Sequence, residues 1–294
     1  VSVLPSYYGE KIVMRLADKD TLMKPKANLG LSPEDLQRFD RILSSPNGMI
    51  LVTGPTGSGK STTLYSALAE LSTEAVNIIT IEDPVEANVP GINQVQVNPK
   101  ADMTFARALR SILRQDPDII MIGEIRDEET ASIAVQASIT GHLVVSTLHT
   151  NSAAATVTRL LDMGVESYLL ADSLVGVIAQ RLVRRLCPHC KIPRQAKPYE
   201  CKLLGKGEDE AVTIYDPGTC AMCGDTGYFG RIGVYEIMHM SHELKRIVSV
   251  EGSTAQIQDA AVAEGMKTLN AAAIDNVLNG TTSITEMMRL SFED

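Results

Sequence analysis

The sequence predicts an α/β fold with a parallel central sheet, a cysteine-based metal-binding insertion and a small helical C-terminal region. Three observations carry this reading. Short apolar segments at residues 49–53, 76–81, 119–123 and 142–148 alternate with helical patterns at 60–71, 105–113, 128–138 and 153–163. Near-continuous apolar strands separated by helices belong to a parallel sheet covered on both faces. A glycine-rich run joins the first of these strands to a helix, and two Cys-x-x-Cys pairs bracket a stretch where the alternation is lost.

The chain has 294 residues, enough for about two domains with a core in each. With 44% hydrophobic and 21% charged residues it has a globular composition. No apolar run approaches the ~18 residues of a membrane span. The formal net charge of −9 argues against a nucleic-acid track. The N-terminus, Val1-Ser2-Val3-Leu4-Pro5, has neither an initiator Met nor a signal-peptide pattern and is expected to be the cut edge of a longer protein. Five cysteines, an odd number, then favour metal ligation over a disulfide framework.

Residues 1–17 read as the tail of an upstream domain, with period-two alternation over 11–16 after a turn at Tyr8-Gly9. Residues 18–31 are polar and read as a linker. A core over 32–183 opens with a helix at Ser32-Pro33-Glu34-Asp35. Ser can cap, Pro suits the first helical position, and the acids suit the positive end of the helix. Leu36, Phe39 and Leu43 give that helix an apolar face. Residues 184–231, dominated by Pro, Gly, Lys and Cys, form the metal-binding subdomain. Residues 232–294 read as one strand followed by small helices ending near Leu290.

Gly54-Pro55-Thr56-Gly57-Ser58-Gly59-Lys60-Ser61, followed by Thr62, fits the pattern G-x-x-x-x-G-K-[ST] between a strand and a helix. Glycines let backbone N–H groups curl around a β-phosphate, and the helix N-terminus adds partial positive charge. Lys60 can place a full charge on the β/γ oxygens, and the Ser61 hydroxyl can ligate Mg²⁺. The alternative is a glycine-rich turn that binds nothing.

The segment from Asp118 to Glu124 delivers Glu124 at the C-terminal end of a buried strand, the edge where ligands bind in doubly wound sheets. The usual Asp of that position is replaced by Gly123. A Glu beside a γ-phosphate can orient or deprotonate the attacking water; otherwise Glu124 caps a helix or pairs on the surface. Glu82-Asp83-Pro84-Val85-Glu86 forms a second acidic cluster, in which Glu86 is either at the same edge or a solvated loop acid. His149 ends the next strand on the phosphate side, as a γ-phosphate sensor or a hydrogen-bonded structural residue; His142 begins it at the far end. Arg110, Arg126, Arg15 and Arg231 are candidate cations for a phosphoryl group, against surface ion pairing.

Cys187-Pro188-His189-Cys190 and Cys220-Ala221-Met222-Cys223 each let two thiolates meet one tetrahedral ion, with 29 residues between the pairs. Four Cys around Zn²⁺ leave no open position, so the site is read as structural; a redox dithiol is the alternative. Cys201 is left over as a free thiol.

Together these residues resemble the GspE/PilB group of type II secretion and type IV pilus-assembly ATPases, over nearly the whole chain. Gly54 to Ser61 resembles the family's Walker A. The run from Ile81 to Glu86 resembles its Asp box. Gly123-Glu124-Ile125-Arg126-Asp127 resembles its Walker B with Gly for Asp, Gly141 to Asn151 its His box, and the Cys pairs its tetracysteine subdomain. The resemblance implies a RecA-like ATPase domain and a hexamer of two-domain subunits with ATP between the domains. It makes Arg15, Arg110, Arg126 and Arg231 candidates for phosphate contacts across domain or subunit boundaries. It also implies a cytoplasmic motor held at the inner membrane by platform proteins, using ATP, Mg²⁺ and Zn²⁺ to assemble a pseudopilus or pilus. Type II secretion is preferred over pilus extension; retraction motors of the family lack the Cys site. Two other classes compete. A RecA-like DNA translocase needs a basic or aromatic track, which four Phe, no Trp and a charge of −9 do not supply. A nucleotide-binding scaffold without turnover needs neither Glu124 nor His149.

Overall fold

The computed structural model describes residues 1–14 and 22–291. It opens with a hairpin, β1 (Ser2–Ser6) and β2 (Gly9–Val13), whose strand residues are all exposed. The strand expected over 11–16 is the second arm of this hairpin. Arg15 lies outside the described residues. Residues 22–31 run along the core: Leu22, Met23 and Leu31 pack against it, and Leu29 is buried. Helix α1 (Pro33–Leu43) starts where the Ser32 hydroxyl accepts the Asp35 N–H at 3.1 Å, and it buries Phe39, Ile42 and Leu43.

The core then runs β3 (Gly48–Thr53), α2 (Lys60–Leu71), β4 (Ile78–Glu82), β5 (Asn93–Gln96), α3 (Phe105–Ile112), β6 (Ile119–Ile122), α4 (Glu128–Ile139), β7 (Leu143–Leu148), α5 (Ala153–Asp162), α6 (Ser167–Ser173) and β8 (Leu174–Leu186). The insertion holds β9 (Ile192–Gln195), α7 (Pro198–Leu203) and β10 (Thr213–Asp216). The chain closes with β11 (Tyr228–His239), α8 (His242–Ser249), α9 (Thr254–Ala263), α10 (Leu269–Leu278) and α11 (Ile284–Ser291).

Seven strands form one sheet in the order β11-β8-β3-β7-β6-β4-β5, and β9 pairs with β10 in a separate ribbon. Every residue of β3, β4, β6 and β7 is buried, as a sheet covered on both faces requires. Alternation divides them: Met49, Leu51, Ile120, Ile122 and Val144 join one apolar cluster, and Ile50, Val52, Ile119, Met121 and Val145 the other. Pairing is parallel from β8 to β5, so these strands end at one edge.

Three features differ from the sequence reading. The sheet is mixed, since β11 runs antiparallel to β8 and begins four residues before the expected position at 232. The 13-residue β8 is unexpected because the buried polar pair Gln180-Arg181 interrupts its apolar run. The edge strand β5 is too short and too polar to show a period.

One buried carboxylate ties the last strand to two helices. Glu236 of β11 accepts the Ala153 N–H at 2.7 Å and the Leu269 N–H at 3.2 Å, at the starts of α5 and α10. A negative charge at two helix N-termini is favoured by both hydrogen bonds and the helix dipoles. Glu236→Ala is expected to destabilise the chain by about 3 kcal/mol, since buried N–H groups lose a charged acceptor. Urea unfolding checks this; an unchanged midpoint would show that the helix starts do not depend on Glu236.

Candidate nucleotide site

The parallel strand ends bring the glycine-rich loop and the acidic segments to one cavity of about 590 Å³. The loop leaves β3 through Gly54 at φ 146 and enters α2 through Gly59 at φ 89. A Cβ on Gly54 would meet the Gln180 carbonyl at 2.3 Å, and one on Gly59 the Gln180 amide nitrogen at 2.8 Å. Both positions therefore exclude side chains by close approach to β8. Gln180 itself holds the loop: its Nε2 donates to the Ser58 carbonyl (2.8 Å) and its Oε1 accepts from Thr63 Oγ1 (2.7 Å).

Lys60 Nζ donates to the carbonyls of Gly54 (2.7 Å) and Pro55 (3.1 Å). Burial pushes its pKa down to about 8; Arg181 adds to that, while Glu124 and Glu86 oppose it. The Ser58 hydroxyl is buried without a hydrogen-bond partner. An orphaned donor, an amine short of water and a helix start facing one cavity suit a phosphate chain. Ser61 and Thr62, at the first turn of α2, line the same cavity.

Glu124, just beyond β6, is held in place: its side chain is 16% exposed, Arg126 lies 2.5 Å from one oxygen and His149 Nε2 3.7 Å from the other. The His149 pKa is pushed down, first by burial and then by Lys60, against an upward pull from Glu124. Both effects favour the neutral ring of His149. Gly123 sits where its Cβ would lie 3.2 Å from the Ile81 carbonyl and 3.3 Å from the Glu82 Cα, so a side chain there would press on β4.

Glu82 is buried at the end of β4 and accepts from Tyr65 OH, Thr80 Oγ1 (2.6 Å) and Gln94 Nε2 (3.0 Å). Burial and Glu82 raise the Tyr65 pKa. The Tyr65 oxygen also accepts the Glu86 N–H at 3.2 Å, so α2 fixes the loop that carries Glu86 into the cavity. Arg231, from the bulged start of β11, completes the lining. Arg110 is elsewhere: it faces α4 and pairs with Glu129 at 2.7 Å. Arg107, Arg110 and Arg114 stand at helical spacing, which by itself could not show that α4 lies beside Arg110. His142 lies at the far end of β7, with Nδ1 3.0 Å from the Ala137 carbonyl. Gln180 and Tyr65 are absent from the sequence reading, where the one signal is a polar side chain inside an apolar segment, and Glu82 appears there only as part of the acidic cluster.

Away from this cavity, the sulfurs of Cys187, Cys190, Cys220 and Cys223 lie within 4.8 Å of one another, as free thiols. The 187–220 and 190–223 separations are 3.7 Å and the 220–223 separation 3.6 Å. Sulfurs at ~2.3 Å from a tetrahedral Zn²⁺ are about 3.8 Å apart, whereas a disulfide needs ~2.05 Å. The geometry fits an ion and not a dithiol–disulfide couple. A Gly227 N–H directed at Cys223 Sγ (3.3 Å) favours the thiolate. A Cβ on Gly218 would lie 1.9 Å from the Cys190 carbonyl, so the knuckles close only around glycine. Cys201 is buried 3.6 Å from the Glu210 carbonyl, apart from the cluster.

Comparison with known proteins follows this geometry. Residues 1–289 match the family model of the type II/IV secretion system protein. The chain is 51% identical over 291 residues to a putative type II secretion system protein E of Escherichia coli (strain K12), covering 99% of this chain and 59% of that protein. It is 49% identical over 293 residues to the type II secretion system ATPase E of Vibrio cholerae, covering 100% and 58%. The chain thus spans less than two thirds of these curated relatives. Among solved structures, the pilus retraction motor PilT with bound ADP superposes with a TM-score of 0.69 at 27% identity, over 98% of this chain and 72% of that one. The α/β fold with a mostly parallel sheet is that of this group, and the chain belongs to the type II/IV secretion system protein family.

Proposed function

We propose that this chain is the ATP-hydrolysing part of a hexameric motor that powers pseudopilus assembly for type II protein secretion. The observation that carries the reading is the convergence of the glycine-rich loop, Glu86, Glu124, Arg126, His149 and Arg231 on one cavity. The name of the Vibrio cholerae relative supports an ATPase, and the Escherichia coli and Vibrio cholerae relatives are both named for type II secretion, which favours secretion over pilus extension. In this reading the amides of Gly57 to Ser61 take the β-phosphate and Lys60 turns from its carbonyls to the β/γ oxygens. Ser61 would hold Mg²⁺, which would supply charge neutralisation for the phosphates. Glu124 orients and deprotonates the attacking water, and His149 beside it senses the γ-phosphate. Arg126 and Arg231 face charge that develops on that group. Arg110 and Arg15 are left for contacts across a subunit boundary.

The proposed division is an upstream-domain tail (1–17), a linker (18–31), the ATPase core (32–183), a Cys₄ subdomain (184–231) and a helical C-terminal region (232–294). No helix among the described residues is long and apolar enough to cross a membrane. The proposed location is the cytoplasmic face of the inner membrane, through platform proteins. A DNA track is disfavoured by the net charge of −9.

Lys60→Ala is expected to lose tight nucleotide binding. Glu124→Gln should keep affinity within about threefold and lose turnover by about 10²- to 10⁴-fold, because an amide cannot accept the proton of water. Nucleotide titration and steady-state hydrolysis, with and without DNA, check both; turnover at the wild-type rate in Glu124→Gln would falsify the assignment.

For the four cysteines we propose one Zn²⁺ per chain, ordering a segment with little core of its own. Cys190→Ser should lower zinc content and speed hydrogen exchange over 187–223 while nucleotide affinity stays unchanged. Elemental analysis and exchange mass spectrometry read this. Zinc-free protein with a protected 187–223 segment would show that packing alone holds it.

A further inference from the structure

A second, larger cavity of about 910 Å³ opens between α1, the end of β11, α8 and α9. It lies across the molecule from the glycine-rich loop. The end of β11 at His239 pairs with Gly176, near the start of β8, whereas the loop leaves the far end of β3. The cavity floor is apolar: Met238, Met240, Leu244 and Met266 are buried there. Its rim is cationic. Arg38 and Arg41 lie one turn apart on α1, and Lys245 faces them from α8.

The rim charges are poorly matched from within. Arg38 donates to the Gly265 carbonyl at 2.6 Å. Among the described residues, the Arg41 and Lys245 side chains have no ion pair or hydrogen bond. Of the two acids that line the cavity, Glu264 accepts from Ser241 Oγ (2.7 Å), also a lining residue, and Glu34 pairs with Lys267 (3.4 Å), so neither is paired with Arg41 or Lys245. With 36 acidic and 27 basic residues in the chain, carboxylates to pair these cations are not scarce. Their fields meet at His239. Burial and then Arg41 push its pKa down, Lys245 and Arg38 add to this, and Glu264 opposes it.

We propose that this cleft docks an acidic, amphipathic segment of a partner protein. Carboxylates on one face of such a segment meet Arg41 and Lys245, and its aliphatic face lies on the methionines. Thioether side chains adapt to varied apolar shapes, and charge complementarity sets the orientation of the segment. Among the described residues no Phe, Tyr or Trp lines the cavity, so the large aromatic platforms that favour nucleobase stacking are missing. None of the residues of this cleft lines the nucleotide cavity.

The test is a labelled peptide of about twelve residues, roughly three helical turns, with Glu on one face and Leu on the other. A matched peptide with Lys for Glu is the control. The whole chain should bind the acidic peptide and not the basic one. Binding should weaken as salt rises from about 0.01 M to about 0.15 M, where the Debye length falls from about 30 to 8 Å. Arg41→Glu with Lys245→Glu should bind about tenfold more weakly or worse. Arg41→Gln with Lys245→Gln, which keeps the helix ends without like-charge contacts, should show a smaller loss of the same sign. Melting temperature and nucleotide affinity should be unchanged in both. Equal peptide binding by wild type and charge-reversed protein would overturn the proposal. So would displacement of the peptide by inorganic phosphate at low concentration, which would make this a small-anion site. Self-association of the wild type that the variants abolish would also overturn it, making the cleft an interface between copies.

Discussion

A lysine ammonium that has lost much of its water rests against two loop carbonyls at the end of β3, and the site is arranged around that charge. Taking a cation out of water is costly unless opposite charge or dipoles replace the solvent. Here the Gly54 and Pro55 carbonyls do so at 2.7 and 3.1 Å, and Glu124 and Glu86 contribute at longer range. Those groups reach Lys60 because β3, β4 and β6 are parallel and end together. Had the sheet core been antiparallel, the carboxylates would have been distributed over both edges. The fold class and the electrostatics of the cavity are thus one constraint seen at two scales.

The same strand that shapes the loop leads to the cysteine cluster. β8 places Gln180 against Ser58 and Thr63, and ends at Leu186, immediately before Cys187. Its other partner, β11, carries Arg231 into the cavity and Glu236 to the starts of α5 and α10. The four-cysteine cluster therefore adjoins the two strands that hold the loop and one of its cations. β8 is hydrogen-bonded to β11 on one side and to β3 on the other.

Much of this was legible in the sequence because it depends on local spacing. The glycine-rich loop, the strand-end Glu124 and His149, and the two Cys pairs each follow from a pattern of a few residues. What could not be read depends on partners distant in the chain. Arg110 stands at helical spacing from two other arginines, yet only the position of α4 decides that it meets Glu129. Gln180 and Arg181 interrupt an apolar run, which obscures β8; in the fold both are buried, one on the loop and one on Asn151. Glu236 in an apolar strand would ordinarily read as a solvent-facing acid, but in the fold two helix starts converge on its buried carboxylate. The glycine at 123 is read as a missing carboxylate in the sequence and as a packing requirement against β4 in the fold.

The most direct measurement of the central claim is calorimetry of a non-hydrolysable ATP analogue with Mg²⁺, across roughly pH 7 to 9, in buffers of different ionisation heat. In the free chain the Lys60 pKa is held down at about 8, against an ordinary 10.5. Phosphate beside the amine favours its charged form and raises that value. Below about pH 8 the amine is already protonated and binding takes up little. As pH rises through 8 a growing fraction must gain a proton to bind, so proton uptake increases and affinity falls. The account predicts this uptake in the wild type and its loss in Lys60→Arg, whose guanidinium stays charged. An affinity that is flat across this range, with no proton uptake, would contradict it.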